Sequence, residues 1–178
     1  MTDSTSKLSQ LRVLFVCTHN RARSQMAEAL MQSRIARVAP GRFAVGSAGS
    51  HPGSEVHPMA VEVLRDAGID WRGHRPRSID DVIGERWDLV ITVCDRAKAS
   101  CPIVPGHPAF AHWGMDDPSE VEGDDSVRAK AFRDTLQYLG RRIDLLLALP
   151  FESLASSVLE RRVQSIAEDV PVPRHVAP

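Results

Sequence analysis

Residues 11–28, LRVLFVCTHNRARSQMAE, constrain this chain more than any other stretch. A mainly apolar run at 11–16 has the branched and aromatic residues that suit a strand. Cys17 follows at once, then a polar loop, then Ser24, a residue suited to opening a helix. The residues after Ser24 are strong helix formers. The pattern is strand, tight loop, helix, with a thiol at the end of the strand and a guanidinium, Arg23, at the end of the loop. A loop folded between a strand end and a helix N-terminus turns backbone N–H groups toward one point and makes a cradle for an anion. Arg23 adds a planar fork that matches tetrahedral oxyanions. The same field favours thiolate over thiol, so Cys17 is expected to be a nucleophile of lowered pKa, with Ser24 donating a hydrogen bond to its sulfur. Thr18, His19, Asn20, Arg21, Ala22, Arg23 and Ser24 together form the expected binding loop.

A chain of 178 residues is enough for one domain with a sizeable core. A net charge of −1 gives no general attraction to nucleic acid or membrane. No apolar run approaches the length that spans a bilayer, and the polar start, MTDSTSKLSQ, has no export signal. A cytoplasmic location is the expectation. The three cysteines are an odd number, which argues against a disulfide framework and for chemistry.

The periodicities predict further elements in order: a short strand at 42–46, a turn-rich loop at 47–53 and a helix at 58–67 ended by Gly68. An irregular basic connection follows at 69–77. Ser78 looks like the cap of a short helix. Residues 87–93, WDLVITV, form the most hydrophobic strand-like run and lead directly to Cys94. A weaker strand is expected at 109–112, a loop at 113–119, and a long amphipathic helix at 126–148. Alternating strands and helices imply a parallel sheet covered on both faces, with chemistry at the carboxyl ends of the strands. Cys17, Cys94 and Asp117 all fall just past such ends. The domain is expected at 11–149. Residues 1–10 are expected to be disordered, and 150–178 to form an extension, a helix and then a disordered tail. Packing of that helix on the domain is favoured over a dimer contact.

Cys94 and Cys101 are spaced too widely for a zinc pair. In a helix their Cα atoms would lie roughly 10 Å apart at about 1.5 Å rise per residue. A disulfide needs about 7 Å or less. A Cys94–Cys101 bond therefore requires the segment to unwind, as a strained and exposed transfer disulfide would. Asp117, before Pro118, is the natural general acid for a leaving oxygen at Cys17, with Asp116 as its competitor.

Taken together, CTHNRARS (17–24), CDRAKASCP (94–102) and HWGMDDPS (112–119) resemble the arsenate reductases built on the low-molecular-weight tyrosine phosphatase fold. The resemblance covers about residues 11–149. It implies an α/β three-layer sandwich with a four-stranded parallel sheet. It also implies a thiol relay: Cys17 attacks arsenate held by the loop and Arg23, and Asp117 protonates the departing oxygen. Cys94 then attacks Cys17, and Cys101 takes over to give a Cys94–Cys101 disulfide that thioredoxin or a similar dithiol reduces. The family's loop is shaped by the residue at Asn20, and Ser24 tunes the nucleophile. No organic cofactor is implied. Some relatives hold a potassium ion beside the loop. Glu28 and Ser47 match part of that site, but Arg75 and Arg77 stand where oxygen ligands belong, so no metal is expected. His19 and Arg21 are often small residues in the family and are expected to face solvent.

Two other readings use the same residues. A protein-tyrosine phosphatase needs only Cys17, Arg23 and Asp117, and commonly has an aromatic pocket wall where this chain has Ser119; a weak phosphatase side activity fits the shared loop. A thiol-based redox or oxyanion sensor would signal through the tail helix. Monomer and homodimer both remain open.

Overall fold

The computed structural model of the protein describes residues 10–100, 105–106 and 108–173. Cys101, nearly all of the N-terminal stretch and the last residues of the tail lie outside them. Four strands form one parallel sheet: β1 (Leu11–Cys17), β2 (Phe43–Gly49), β3 (Leu89–Thr92) and β4 (Ala109–His112), in the order β2-β1-β3-β4. The helices α1 (Arg23–Val38), α2 (Pro58–Asp66), α3 (Ile79–Val82), α4 (Asp95–Ser100), α5 (Asp125–Leu147) and α6 (Ser156–Asp169) complete the α/β layers. Among the described residues no helix is long and apolar enough to cross a membrane.

Burial on both faces explains the continuous apolar runs. Val13, Leu14, Phe15 and Val16 of β1, and Leu89, Val90 and Ile91 of β3, are fully buried. From β1 the chain crosses one way to β2, and β3 lies on the other side of β1. The strand order therefore reverses at the β1/β3 pair, and the crevice beyond the carboxyl ends of those two strands is where such sheets bind ligands. Cys17 ends β1 and Cys94 stands two residues past β3.

Three elements differ from expectation. β2 runs on through Ser47 and Ala48 to Gly49, where a turn was expected, because it pairs with β1 as far as Cys17 opposite Gly49. Small residues are required there: a Cβ on Gly49 would sit 2.7 Å from the Thr18 carbonyl oxygen. α1 starts at Arg23 rather than Ser24, with Ala22 as a cap that makes no side-chain hydrogen bond. The core of β3 is shorter than 87–93, since Trp87 leaves the ladder and its indole N–H donates to the Val82 carbonyl at 2.9 Å. By contrast, Ser78 caps α3 through a bond from the Asp80 N–H, and Asp124 caps α5 through one from Val127.

The extension folds back on the domain. α6 lies along β4, the edge strand, and buries Leu159, Val163 and Ile166. Its polar side chains meet the outer backbone of β4: Glu160 accepts from the Phe110 N–H at 3.0 Å, and Gln164 accepts from the His112 N–H at 2.8 Å and donates to its carbonyl at 3.2 Å. The start of the expected disordered tail is held too. Arg142 of α5, 2% exposed, donates to the carbonyls of Val170 (2.9 Å), Ala167 (3.4 Å) and Trp113 (3.0 Å). Removing this guanidinium takes the donor from the buried Trp113 carbonyl and from the half-buried carbonyls of Ala167 and Val170. Arg142→Met is expected to cost about 3 kcal/mol in urea denaturation. A loss below about 1 kcal/mol would show that water replaces those bonds.

Candidate active site

The loop after β1 is held from outside by the segment after β2. The carbonyls of Cys17, Thr18, His19 and Arg21 accept from the N–H groups of Ser50 (3.2 Å), His51 (2.8 Å), Gly53 (2.9 Å) and His57 (2.8 Å). With its carbonyls turned outward, the loop presents N–H groups to its own centre, an arrangement that suits an anion. Asn20 makes this shape possible. It is fully buried at φ 50°, a left-handed conformation that asparagine tolerates better than most residues, and its N–H donates to Cys17 Sγ at 3.1 Å.

Behind the loop lies a buried polar network. Asn20 Nδ2 donates to Ser24 Oγ (2.7 Å) and to Ser47 Oγ (2.9 Å), and Ser24 Oγ lies 2.9 Å from Cys17 Sγ. Ser24's side chain is thus directed at the nucleophile, not at capping α1. Ser47 donates to Glu28 at 2.5 Å. Burial pushes the Glu28 carboxyl up, against the pull of the Ser47 hydrogen bond and the nearby Arg77 and His74. The guanidinium of Arg77 is thus a positive charge that the protein itself brings to bear on this carboxylate.

The expectation for Cys17 is reversed. Burial is the dominant effect and raises the thiol pKa above its ordinary value; Arg23 and the hydrogen bonds of Ser24 pull it down but do not prevail, and Cys94 adds to the rise. Residue types announce the charges around a sulfur, but not that the sulfur is 2% exposed.

Arg23, 7% exposed, reaches across from α1 to the loop after β4. It donates to the Met115 carbonyl at 2.9 Å and to Asp117 Oδ2 at 2.7 Å, while its buried Nε has no hydrogen-bond partner among the described residues. Asp117 caps the 3-10 turn Pro118–Glu120, accepting from the Ser119 N–H (2.9 Å) and hydroxyl (2.7 Å). Burial works to raise its pKa, but Arg23, the Ser119 bonds and the charge of His19 together bring it below the usual carboxylate range. Asp117 rather than Asp116 lines the small pocket above the sulfur, with Cys17, His19, Arg21, Ala22, Arg23 and Ser119. His19 is exposed, and Arg21 lies over the surface with its Nε donating to the Glu55 carbonyl at 3.0 Å.

Cys94 is buried at the start of α4, and its Sγ lies 3.3 Å from Thr18 Oγ1. The second thiol therefore touches the nucleophile's own loop, at the residue next to Cys17. Cys101 falls outside the described residues. Of the expected site residues, Cys17, Thr18, Asn20, Arg23, Ser24, Cys94 and Asp117 converge on the β1/β3 crevice. Sequence reasoning missed Gln25, Trp71 and the Met115 carbonyl, and it placed Ser119 at the pocket wall without its two hydrogen bonds to Asp117. Of those missed, only Gln25, next to Ser24 on the opening turn of α1, carried a local signal.

A model of the low molecular weight phosphotyrosine protein phosphatases matches residues 12–161. An arsenate reductase of Bacillus licheniformis is 36% identical over 136 residues, which span 76% of this chain and 94% of the relative. Among solved structures, a thioredoxin-dependent arsenate reductase of Corynebacterium glutamicum is 33% identical, with a TM-score of 0.53 over 76% of this chain and 63% of its own. A low molecular weight protein tyrosine phosphatase from T. tengcongensis is 27% identical, with a TM-score of 0.64 over 78% of this chain and 98% of its own.

Proposed function

The chain belongs to the low molecular weight phosphotyrosine protein phosphatase family, and on that premise we propose that it reduces arsenate to arsenite by a relay of thiols. The observation that carries this reading is Cys94, a second thiol set against the Cys17 loop through Thr18. A phosphatase has no use for it. The pocket agrees: it is small and, among the described residues, has no phenyl or indole wall, which fits an inorganic oxyanion better than an aryl ester. The arsenate reductases among the relatives support the same choice.

The resting proton positions fit the first step. Cys17 holds its proton, and an arriving arsenate dianion can take it, so that thiolate and protonated oxyanion form together in the cradle. The oxyanion competes with Asp117 for Arg23, and an Asp117 released from that guanidinium regains proton affinity, takes a proton from solvent and passes it to the departing oxygen, which leaves as water. Cys94 attacks Cys17 Sγ next. The sulfur–arsenic bond breaks, its electron pair stays on arsenic, and arsenite departs with arsenic reduced by two electrons. Cys101 then displaces Cys17 from Cys94, which requires α4 to open. Thioredoxin or a similar dithiol supplies the two electrons that restore the thiols. His19, Arg21 and Ala22 form the rim of the cradle in this scheme.

The test is arsenate-dependent NADPH oxidation with thioredoxin and thioredoxin reductase. Turnover that falls to background in both Cys94→Ser and Cys101→Ser, while wild type proceeds, is the expected result. Turnover that survives either change would mean that an external thiol resolves the arsenic adduct. A second reading, tyrosine phosphatase, draws on the Arg23–Asp117 pair and the T. tengcongensis neighbour. It requires brisk hydrolysis of an aryl phosphate, indifferent to both replacements, and no arsenite.

A further inference from the structure

Trp71 lies far from the anion cradle in sequence and is not among the residues that line the pocket. It is 3% exposed, and His74 stacks on it with ring centroids 3.5 Å apart and planes 6° from parallel, while His74 Nδ1 lies 3.1 Å from the Trp71 carbonyl. Its indole N–H donates to Gln25 Oε1 at 2.8 Å. Gln25, 2% exposed, donates through Nε2 to Asn20 Oδ1 (3.0 Å) and to the Arg75 carbonyl (3.2 Å). Asn20 Oδ1 also accepts from the Arg77 N–H at 2.8 Å, and its Nδ2 donates on to Ser24 and Ser47.

The direction of this chain is forced. An indole nitrogen is a donor only, so the atom of Gln25 facing it must be the oxygen. That leaves the Gln25 amine toward Asn20, whose oxygen must then face Gln25 and whose amine must face Ser24. Ser24 Oγ accepts from Asn20 and has a single hydrogen of its own, which Cys17 Sγ, at 2.9 Å, is placed to accept.

We propose that Trp71 is a positioning residue for the Cys17 nucleophile: its indole N–H orients the Gln25 and Asn20 amides so that the Ser24 hydroxyl presents its hydrogen to the Cys17 sulfur. Without the indole, Gln25 Oε1 is a buried acceptor with no donor. The amide then turns or loosens, and the donor at the far end of the chain weakens. The other groups acting electrically on the sulfur, Arg23 and Cys94, are not in this chain and are left as they were. The inference rests on Cys17 being the nucleophile, which the reductase and phosphatase readings share.

The test is the pH profile of iodoacetamide alkylation at Cys17, followed by mass spectrometry on its own peptide in the full-length protein. In Ser24→Ala the midpoint should move to higher pH, with the rate at pH 7 about tenfold lower, as loss of a charge-assisted donor implies. Trp71→Phe should move it the same way, with the rate about fivefold lower. In the double variant Trp71→Phe should add nothing to Ser24→Ala, because it acts through that hydroxyl. An unmoved profile in Trp71→Phe, or an equal further shift on the Ser24→Ala background, overturns the proposal. Should Trp71→Phe not fold, Gln25→Met breaks the same chain and is read in the same way. Alkylation needs neither arsenate nor an electron donor. A protein that shows the shift without turning over arsenate upholds this inference and refutes only the reductase reading; normal turnover without the shift does the reverse.

Discussion

Replacing Arg23 with lysine should lower kcat/KM for arsenate by about 10²–10³-fold, as loss of preorganised donors at a developing charge does elsewhere. The charge survives the change, but the fork does not. Arg23 spans two walls of the pocket, with one terminal nitrogen on the Met115 carbonyl and the other on Asp117. Its Nε is buried with no partner among the described residues. An ammonium is a compact point charge that cannot keep the Met115 contact and also meet two oxygens of an oxyanion. Competitive inhibition by phosphate should weaken in parallel, since the same donors hold the ground-state anion. A loss of less than tenfold would show that positive charge alone is what the site needs.

Asp117→Asn should separate binding from chemistry. The expected result is a kcat lower by about a hundredfold or more, from loss of the acid, together with tighter inhibition by phosphate. The carboxylate and the substrate compete for one guanidinium: Asp117 Oδ2 sits 2.7 Å from Arg23 in a pair whose side chains are 9% and 13% exposed. An uncharged amide cannot compete as strongly, so oxyanions gain access while the proton source is lost. Weaker phosphate binding would instead make Asp117 a support for the arginine, not its rival. The pair also leaves a signature in stability. Asp117's pKa in the folded protein lies below its ordinary 3.8. Its contribution is therefore present above about pH 4 and is lost as pH falls through the folded value. Acid unfolding of Asp117→Asn should lack that component.

What the sequence makes legible depends on how local its cause is. The apolar run before Cys17 reads as a buried strand because both faces of β1 are covered, and α5 reads as a helix because its apolar residues recur at helical spacing. The motif residues fall beyond strand ends, and the parallel sheet gathers those ends in one crevice. Ser47, Ala48 and Gly49 are small enough to suggest a turn. What makes them strand is the approach of β1 and its loop, which is a tertiary fact. The proton affinity of Cys17 is hidden for a similar reason: Arg23 and Ser24 are visible beside it, but the burial that outweighs them is built by the sheet and α1. Trp71 and Gln25 meet across 46 positions of chain, and no spacing rule connects an indole in a basic loop with an amide on the first turn of α1.

The way α6 lies on β4 has a consequence for crowded solutions. A bare edge strand offers a row of unpaired N–H and C=O groups to any extended chain, and in a concentrated sample the nearest template is the same edge on another copy. Here Glu160 already occupies the outward N–H of Phe110, and Gln164 the outward N–H and carbonyl of His112. The molecule thus carries its own guard against sheet-to-sheet aggregation along this edge. Removing α6 would take away that guard before it touched a single residue of the crevice.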